Sequence, residues 1–174
     1  MPLEDQLDSN FGDYGVETNF WNNAYSWEPK KQHQFIMEIE GIPAYLIKAS
    51  AKPQIQNGEV TLDHINVKRY VKGKSQWNSI SVTLYDPIMP SGTRAVMEWV
   101  RQHHESATGR NGYSSFYKKE ISLTQLSPLG EKIEQWVLKG AYIVDANFGS
   151  LDWSQEAPME IALSIRYDWA FLNF

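Results

Sequence analysis

Alternation of apolar and polar residues near the C-terminus limits the fold of this chain more than any other feature. The apolar row consists of Ile161, Leu163, Ile165, Tyr167 and Trp169. The intervening residues are small or polar. Because successive side chains of a strand point to opposite faces of a sheet, this period of two predicts a strand with one buried face.

The same alternation predicts further strands upstream, separated by turn-forming residues. The predicted strands cover residues 35–40, 45–50, 79–84, 118–126 and 132–140. The first two are predicted to pair as a hairpin, since Gly41 and Pro43 lie between them. A long extended segment over 59–70 is predicted to reverse at Lys72-Gly73-Lys74, and a loop containing Asp145 is predicted before the last strand.

One segment has helical periodicity. Ser91 is a suitable N-cap, and residues 93–105 are predicted to form a helix. The apolar face of this helix is Val96, Met97 and Val100, with Trp99 at its edge. Six to eight strands and one helix, without a βαβ rhythm, predict a mainly β fold, an antiparallel β-sandwich or barrel with one flanking α-helix. We expect a single such domain over 31–174.

Residues 1–30 differ in composition from the rest of the chain. They hold six acidic residues against Lys30, a net charge of −5, so the remaining 15 acidic and 15 basic residues leave the body neutral. A neutral body permits self-association and disfavours general binding to DNA phosphates. Because aromatic residues are frequent here, we expect an extended N-terminal arm that docks on a neighbouring molecule, with a disordered leader as the alternative. The predicted docking residues are Phe20, Trp21 and Trp27.

The sequence contains no recognisable catalytic or ligand-binding motif. It has no cysteine, its four histidines lack metal-ligand spacing, and no nucleophile elbow, P-loop or dinucleotide-binding motif occurs. Asp63 and His64 are predicted to point to opposite faces of a strand, which disfavours a general-base pair. We therefore expect a protein that is not an enzyme, with no catalytic residue, metal or cofactor. No apolar stretch approaches the roughly 18 residues of a membrane span, so membrane insertion is not expected.

Two clusters of opposite charge lie in different parts of the sequence. Lys68, Arg69, Lys72 and Lys74 are predicted to lie at a hairpin tip. The acidic residues of the last thirty positions are Asp145, Asp152, Glu156, Glu160 and Asp168, which face only Arg166. Three interpretations of the basic cluster stay open. It protects an edge strand from aggregation, it binds phosphate, or it forms one half of a head-to-tail contact between copies.

The order of several short motifs over residues 33–170 resembles that of the tail tube proteins of contractile-tailed bacteriophages. The matching stretches are IKASAKP at 47–53, NVKRY at 66–70 and WNSISVTL at 77–84. The closing series consists of LKGAY at 138–142, LDW at 151–153 and LSIRYDW at 163–169. The order of the motifs carries the resemblance, and the arm is longer than is usual for the family.

The resemblance implies a β-barrel-like subunit that assembles into hexameric rings, which stack into a hollow tube inside a contractile sheath. The implied partners are further copies of the chain, the tail sheath protein, and the baseplate and tail terminator proteins at the tube ends. DNA would pass through the tube during ejection without specific binding. The protein would belong to the virion tail, assembled in the cytoplasm of the host bacterium.

The resemblance and the alternation together assign residues to surfaces of the tube. The inter-ring contact candidates are Lys52, Lys68, Arg69, Lys72, Lys74, Asp152 and Glu156. The lumen-facing candidates, all small and uncharged, are Ser79, Ser81, Thr83, Ala162 and Ser164. A lumen with few fixed cations would let DNA slide, because phosphates would not be held.

Other functions stay open at this point. Within the same architecture, the chain could form the tube-initiating ring of a baseplate or the tube of a bacterial secretion system. From a different class, a carbohydrate-binding β-sandwich module would account for the seven tryptophans. Such a module would expose tryptophans on one face, whereas core or interface positions are predicted for Trp77, Trp99, Trp136 and Trp169.

Overall fold

Antiparallel strands dominate residues 29–173, the part of the chain that the computed structural model describes. The strands are β1 (Phe35–Ile39), β2 (Ile47–Ser50), β3 (Ile55–His64), β4 (Val67–Trp77), β5 (Ile80–Tyr85), β6 (Lys119–Leu126), β7 (Lys132–Asn147), β8 (Glu160–Arg166) and β9 (Trp169–Asn173). The helices are α1 (Gly92–His103), the short α2 (Ser114–Tyr117) and a 3-10 turn at Ala44–Leu46. The predicted mainly β class is confirmed. The predicted docking residues Phe20, Trp21 and Trp27 lie outside the described residues.

The long strand β7 belongs to two sheet layers. Its first half pairs with β6 and β9, and its second half pairs with β8. One layer therefore has the strand order β1-β6-β7-β9, and the other has the order β7-β8-β5-β2. The hairpin of β3 and β4 forms a separate two-stranded sheet.

Side chains from both layers fill one hydrophobic core. The predicted apolar rows of β5 and β8 are buried, namely Ile80, Val82, Leu84, Ile161, Leu163 and Ile165. Trp99 of α1 is also buried, so its predicted place at the edge of the helix's apolar face is wrong. A large indole can occupy the centre because its N–H is satisfied by the carbonyl oxygen of Tyr117, at 2.8 Å. Ser91 is the N-cap of α1, as predicted, and accepts from the backbone N–H of Arg94.

The predicted hairpin between residues 35–40 and 45–50 is wrong. β1 pairs with β6, whereas β2 pairs with β5 in the other layer. The segment between β1 and β2 buries Ile42 and Leu46 in the core, and this packing separates the two strands. Consecutive strands pair in only about two-thirds of cases, so a local turn signal does not fix the partner.

The predicted reversal at Lys72-Gly73-Lys74 is also wrong. The chain reverses at Ile65, whose φ is +50°, and at the residue after it, while residues 72–74 continue β4. Gly73 lies near Gly58 at a shift in register, and a Cβ on Gly58 would lie 2.9 Å from the carbonyl oxygen of Lys74. Glycine is therefore needed here for the close approach of two strands, not for a turn. β7 likewise continues through Asp145, where the sequence predicts a loop.

Gly140 marks the point at which β7 passes from one layer to the other. Residues up to 139 pair with β9, and residues from 142 pair with β8. Gly140 has a φ of +68°, in the left-handed region that favours glycine, and a Cβ there would lie 2.2 Å from a carboxylate oxygen of Asp168. Asp168 is fixed by its backbone N–H, which donates to Lys139 at 3.0 Å, and by an ion pair with Lys118 at 2.7 Å.

We expect Gly140→Ala to destabilise the subunit more than the control Gly130→Ala. Both glycines have a positive φ, so both substitutions incur the roughly 1–2 kcal/mol cost of left-handed backbone. Only Gly140→Ala adds an overlap with Asp168, because a Cβ at Gly130 meets nothing within 4 Å. Urea denaturation should give a free energy of unfolding that is lower by at least about 1 kcal/mol for Gly140→Ala than for Gly130→Ala. Equal values for the two variants would contradict the role assigned to Gly140.

Candidate assembly surfaces

The β3–β4 hairpin has the least internal packing of any paired strands in the described chain. Every side chain of β3 is exposed, and in β4 only Gly73 and Trp77 are partly buried. The register runs from Ile55 opposite Trp77 to His64 opposite Val67. A two-stranded hairpin alone is at best marginally stable in water, because it has no layer to pack against. The hairpin therefore offers a packing surface that the subunit itself leaves exposed.

The cross-strand register gives this hairpin one apolar and one charged face. Val60 lies opposite Val71, and Leu62 lies opposite Arg69, so three aliphatic side chains share a face. These three are between 38% and 47% exposed. The other face places opposite charges across the strands, with Glu59 opposite Lys72 and Asp63 opposite Lys68. A continuous exposed apolar surface of this kind marks an interaction site.

The basic candidates of β4 are spread along the hairpin and are not gathered at its tip. Lys68 and Arg69 are close to the turn but point to opposite faces. Lys72 follows on the same face as Lys68, and Lys74 comes after the shift in register. All four are exposed. The prediction that all four basic residues lie at the hairpin tip is wrong, because the sequence analysis interpreted Gly73 as a turn residue.

Lys52 is not part of this basic cluster. Its ammonium group forms an ion pair with Glu134, whose side chain is only 8% exposed. A carboxylate buried to this degree needs a cation or hydrogen-bond donors nearby. The structure thus gives Lys52 a role within the subunit, and its role in an inter-ring contact stays a prediction.

The acidic candidates lie on the loop between β7 and β8. Asp152 and Glu156 are both exposed. Ser154 donates to the Asp152 carboxylate from its backbone N–H and from its hydroxyl, and these hydrogen bonds hold the pKa of Asp152 below its ordinary value. Two further acidic residues form ion pairs within the subunit, Glu160 with Lys48 and Asp168 with Lys118. Fewer acidic side chains are therefore available to a partner than the sequence predicts.

Four of the five lumen-facing candidates lie side by side on the outer face of β5 and β8. Ser81 is opposite Ser164, and Thr83 is opposite Ala162. Ser79 lies just before β5. The structure thus brings these small residues together on one uncharged patch, and a position of this patch in a lumen stays a prediction.

Strand pairing adds residues to this patch that the sequence analysis missed. Ala49 of β2 lies opposite Thr83 and extends one row, and Asn147 of β7 ends that row. Asp145 of β7 ends the other row. The remaining charged groups lie at the margins, where Arg166 ends β8 at one side and the Lys48–Glu160 ion pair lies at the other. These neighbours could not be found from alternation, which gives the face of a residue but not the adjacent strand.

Apart from β3 and β4, three strands of the described chain lie at sheet edges. β1, β2 and β9 each pair with a single strand, which is β6, β5 and β7 respectively. The unpaired N–H and C=O groups of an edge strand are available for pairing with another chain. Both layers therefore carry edges at which copies of the subunit can extend a sheet.

The described residues hold few groups suited to catalysis. No cluster of three or more His, Asp or Glu side chains in residues 29–173 could hold a metal ion. His103 packs against Tyr117, and burial, aided by the neighbouring His104, lowers the pKa of His103. Asp63 and His64 point to opposite faces of β3, as alternation predicts. Over the same residues, no helix combines the length and apolar character needed to cross a membrane.

Comparison with solved structures identifies the fold. A chain of the sheath/tube terminator of an extracellular contractile injection system, PVC, has a TM-score of 0.69 at 15% identity, covering 85% of this chain and 99% of that one. A chain of the PVC sheath–tube complex has a TM-score of 0.68 at 15% identity, covering 90% and 99%. The SPP1 tail tube has a TM-score of 0.52 at 17% identity, covering 83% and 79%. No protein-family model matches the sequence, and no curated protein matches it significantly.

The chain therefore has the fold of the tube components of contractile injection systems and tails. The likeness to tail tube proteins that motif order predicts is confirmed at the level of the fold. At these identities the comparisons define the architecture alone.

We expect substitutions on the apolar face of the hairpin to leave the subunit folded. Leu62→Thr combined with Val71→Thr should change the free energy of unfolding of dissociated subunits by no more than about 0.5 kcal/mol, because both positions are exposed and threonine keeps β propensity. The core variant Leu84→Ala should lose about 2–5 kcal/mol. Urea denaturation of dilute protein measures both. A loss for the hairpin variant as large as that for Leu84→Ala would mean that the hairpin packs on its own subunit.

Proposed function

We propose that this chain is the structural subunit of a tail tube. Copies form hexameric rings, and the rings stack into the hollow tube of a contractile phage tail, through which DNA passes during ejection. The shared fold supports this proposal, because chains from a sheath–tube complex, a tube terminator and a tail tube have the same architecture.

The observation that carries the proposal is the exposed β3–β4 hairpin. Its aliphatic face, formed by Val60, Leu62 and Val71, keeps large apolar side chains exposed, which is unusual for a subunit that remains alone. Contact with an adjacent ring would bury this face and give the hairpin the layer that it lacks. Arg69, which shares the aliphatic face, would then lie at the same contact.

The uncharged patch on β5 and β8 supports a role as the lumen wall. Serine, threonine and alanine side chains fill its centre, and Asp145 adds a negative charge at one border. A wall without a cluster of cations does not hold phosphates, so DNA would slide past it. We assign Ser79, Ser81, Thr83, Ala162 and Ser164 to this wall.

The proposed partners are the proteins that a tail tube would contact. They are other copies of the chain, a sheath protein outside the tube, and baseplate and terminator proteins at its ends. The tube would belong to the virion tail after assembly in the host cytoplasm. The protein's role would be structural, without a catalytic step, metal or cofactor.

A tube of an injection or secretion system is the second candidate. It is favoured by the two structures with TM-scores of 0.68 and 0.69, both of which come from a contractile injection system. A baseplate tube ring shares the same architecture. A carbohydrate-binding module is disfavoured, because Trp99 is buried and Trp77 and Trp136 pack against the core. Of the four tryptophans expected at core or interface positions, only Trp169 is largely exposed, at 51%.

Electron microscopy of the purified full-length chain tests the proposal. We expect sixfold rings or stacked tubes as the protein is concentrated. Leu62→Thr combined with Val71→Thr should lower the assembled fraction about tenfold, because it removes apolar area from the contact. The control Leu129→Thr changes a leucine that is more exposed than Leu62, on the turn between β6 and β7, and should assemble as the wild type does. A wild-type protein that stays a dispersed monomer at about 1 mM would contradict the proposal.

The N-terminal arm, residues 1–30, is proposed to dock on a neighbouring subunit or on the sheath. Removing it should raise the protein concentration needed for self-association about tenfold, since aromatic anchors dominate many interfaces. Phe20→Ala, Trp21→Ala and Trp27→Ala combined should reproduce most of this effect. Analytical ultracentrifugation measures the shift. Unchanged self-association after deletion would exclude a docking role between subunits.

A further inference from the structure

Two loops leave the β5–β8 pair at the end opposite to the hairpin. β4 leads into Ile80, the first residue of β5, which pairs with Ile165 near the end of β8. The last residue of β5, Tyr85, pairs with Glu160 at the start of β8. The hairpin therefore joins this strand pair at one end, while the loops over 86–90 and 148–159 leave it at the other.

Hydrogen bonds hold these two loops together. The backbone N–H of Asp86 donates to the carbonyl oxygen of Met159 at 3.0 Å. The carboxylate of Asp86 accepts from the backbone N–H of Thr93, at 3.1 Å, and from its hydroxyl, which ties the first loop to the start of α1. Burial acts to raise the pKa of Asp86, but the hydrogen bonds from Thr93, Gly92 and Ser91 outweigh it and hold the pKa below its ordinary value. These hydrogen bonds fix the start of the first loop and place the end of the second loop beside it.

Four large apolar side chains are exposed on the two loops. The exposed fractions are 100% for Ile88, 88% for Met89, 88% for Leu151 and 107% for Trp153. A single exposed apolar residue is ordinary, but four on two adjoining loops form a patch of the kind that marks an interface. Tryptophan is also enriched among the residues that contribute most to binding.

The charges of this patch are complementary to those of the hairpin. The loop over 148–159 has a net charge of −2, from Asp152 and Glu156. The hairpin over 55–77 carries four basic and two acidic residues, a net charge of +2. Each surface combines exposed apolar side chains with a net charge, and the two net charges are opposite in sign. The base of the hairpin and the two loops lie at opposite ends of the same strand pair. Such surfaces form a heterologous contact that repeats from copy to copy.

We propose that this end patch receives the β3–β4 hairpin of a second copy of the chain in the adjacent ring. The patch is defined by Ile88, Met89, Leu151, Asp152, Trp153 and Glu156. The inference rests on the proposed function, which supplies the stacked rings, and it adds the surface that the hairpin contacts. The aliphatic face of the hairpin packs on Trp153 and Ile88, and Arg69, which shares that face, lies beside the loop carboxylates.

The lack of cysteine in the sequence allows a direct test by cross-linking. Asn66→Cys at the hairpin turn and Gln155→Cys in the loop, both exposed, are introduced into one chain. A bismaleimide linker should join assembled copies head to tail into series of three or more, whereas each single variant should give dimers at most. The control pair is Asn66→Cys with Leu129→Cys. Assembled protein that gives no such series, or gives it equally with the control pair, would overturn the proposal.

Exchange of charge between the two surfaces tests the same contact energetically. Arg69→Glu should lower the fraction of stacked rings about tenfold, and so should Asp152→Lys. The two substitutions together should restore stacking. Trp153→Ala should also disrupt stacking, while Leu129→Ala should not. Sedimentation velocity separates stacks, single rings and single subunits.

The outcomes distinguish failure of this contact from failure of the proposed function on which it rests. Loss of stacking with rings retained, followed by rescue on charge exchange, supports the contact. Tubes that form normally in Trp153→Ala and show no rescue on charge exchange overturn the contact alone. A wild-type chain that never assembles overturns the proposed function and the contact together.

Discussion

The sharing of β7 between two layers is the constraint on which the rest of the structure depends. Its first half holds β6 and β9 and its second half holds β8, so one strand fixes the spacing of both layers around the core. Gly140 makes this possible, because its left-handed backbone and missing Cβ let the chain bend beside Asp168. The positions of the other surfaces depend on the strands that pair with β7 in turn. β8 positions β5, and β5 positions both the base of the hairpin and the two loops at its far end.

The residues that stabilise the folded subunit are distinct from the exposed residues that could contact a partner. Core side chains of both layers are almost completely buried, and the carboxylate of Glu134 is paired with Lys52. The hairpin and the end loops, in contrast, keep large apolar side chains exposed on backbone that is held by hydrogen bonds. Removing such surface from water is favourable by about 25 cal/mol per Å², so association supplies free energy that folding alone does not use. The two surfaces differ and lie at opposite ends, which favours an open-ended series over a closed dimer.

Alternation predicted which residues are buried, because the period of two is a local property of each strand. The rows of β5 and β8 and the polar residues opposite them are confirmed on that basis. The partner of a strand is not local, so the pairing of 35–40 with 45–50 was wrong. Gly73 was misinterpreted for a related reason, since a glycine that allows close approach and a glycine that turns the chain look alike in sequence. The additions of Ala49 and Asn147 to the uncharged patch needed the observed register.

In the proposed tube, ring formation and lumen lining would be a single requirement. The uncharged patch lies on the layer β7-β8-β5-β2, and β2 is an edge strand of that same layer. A copy that pairs at β2 would continue the layer sideways, and it would also continue the patch, because Ala49 of β2 already lies in the row of Thr83. In the proposed ring, the inner wall would then arise from the edges that join the copies. The proposed axial contact would use neither the β2 edge nor the uncharged patch, so disrupting it should leave rings intact.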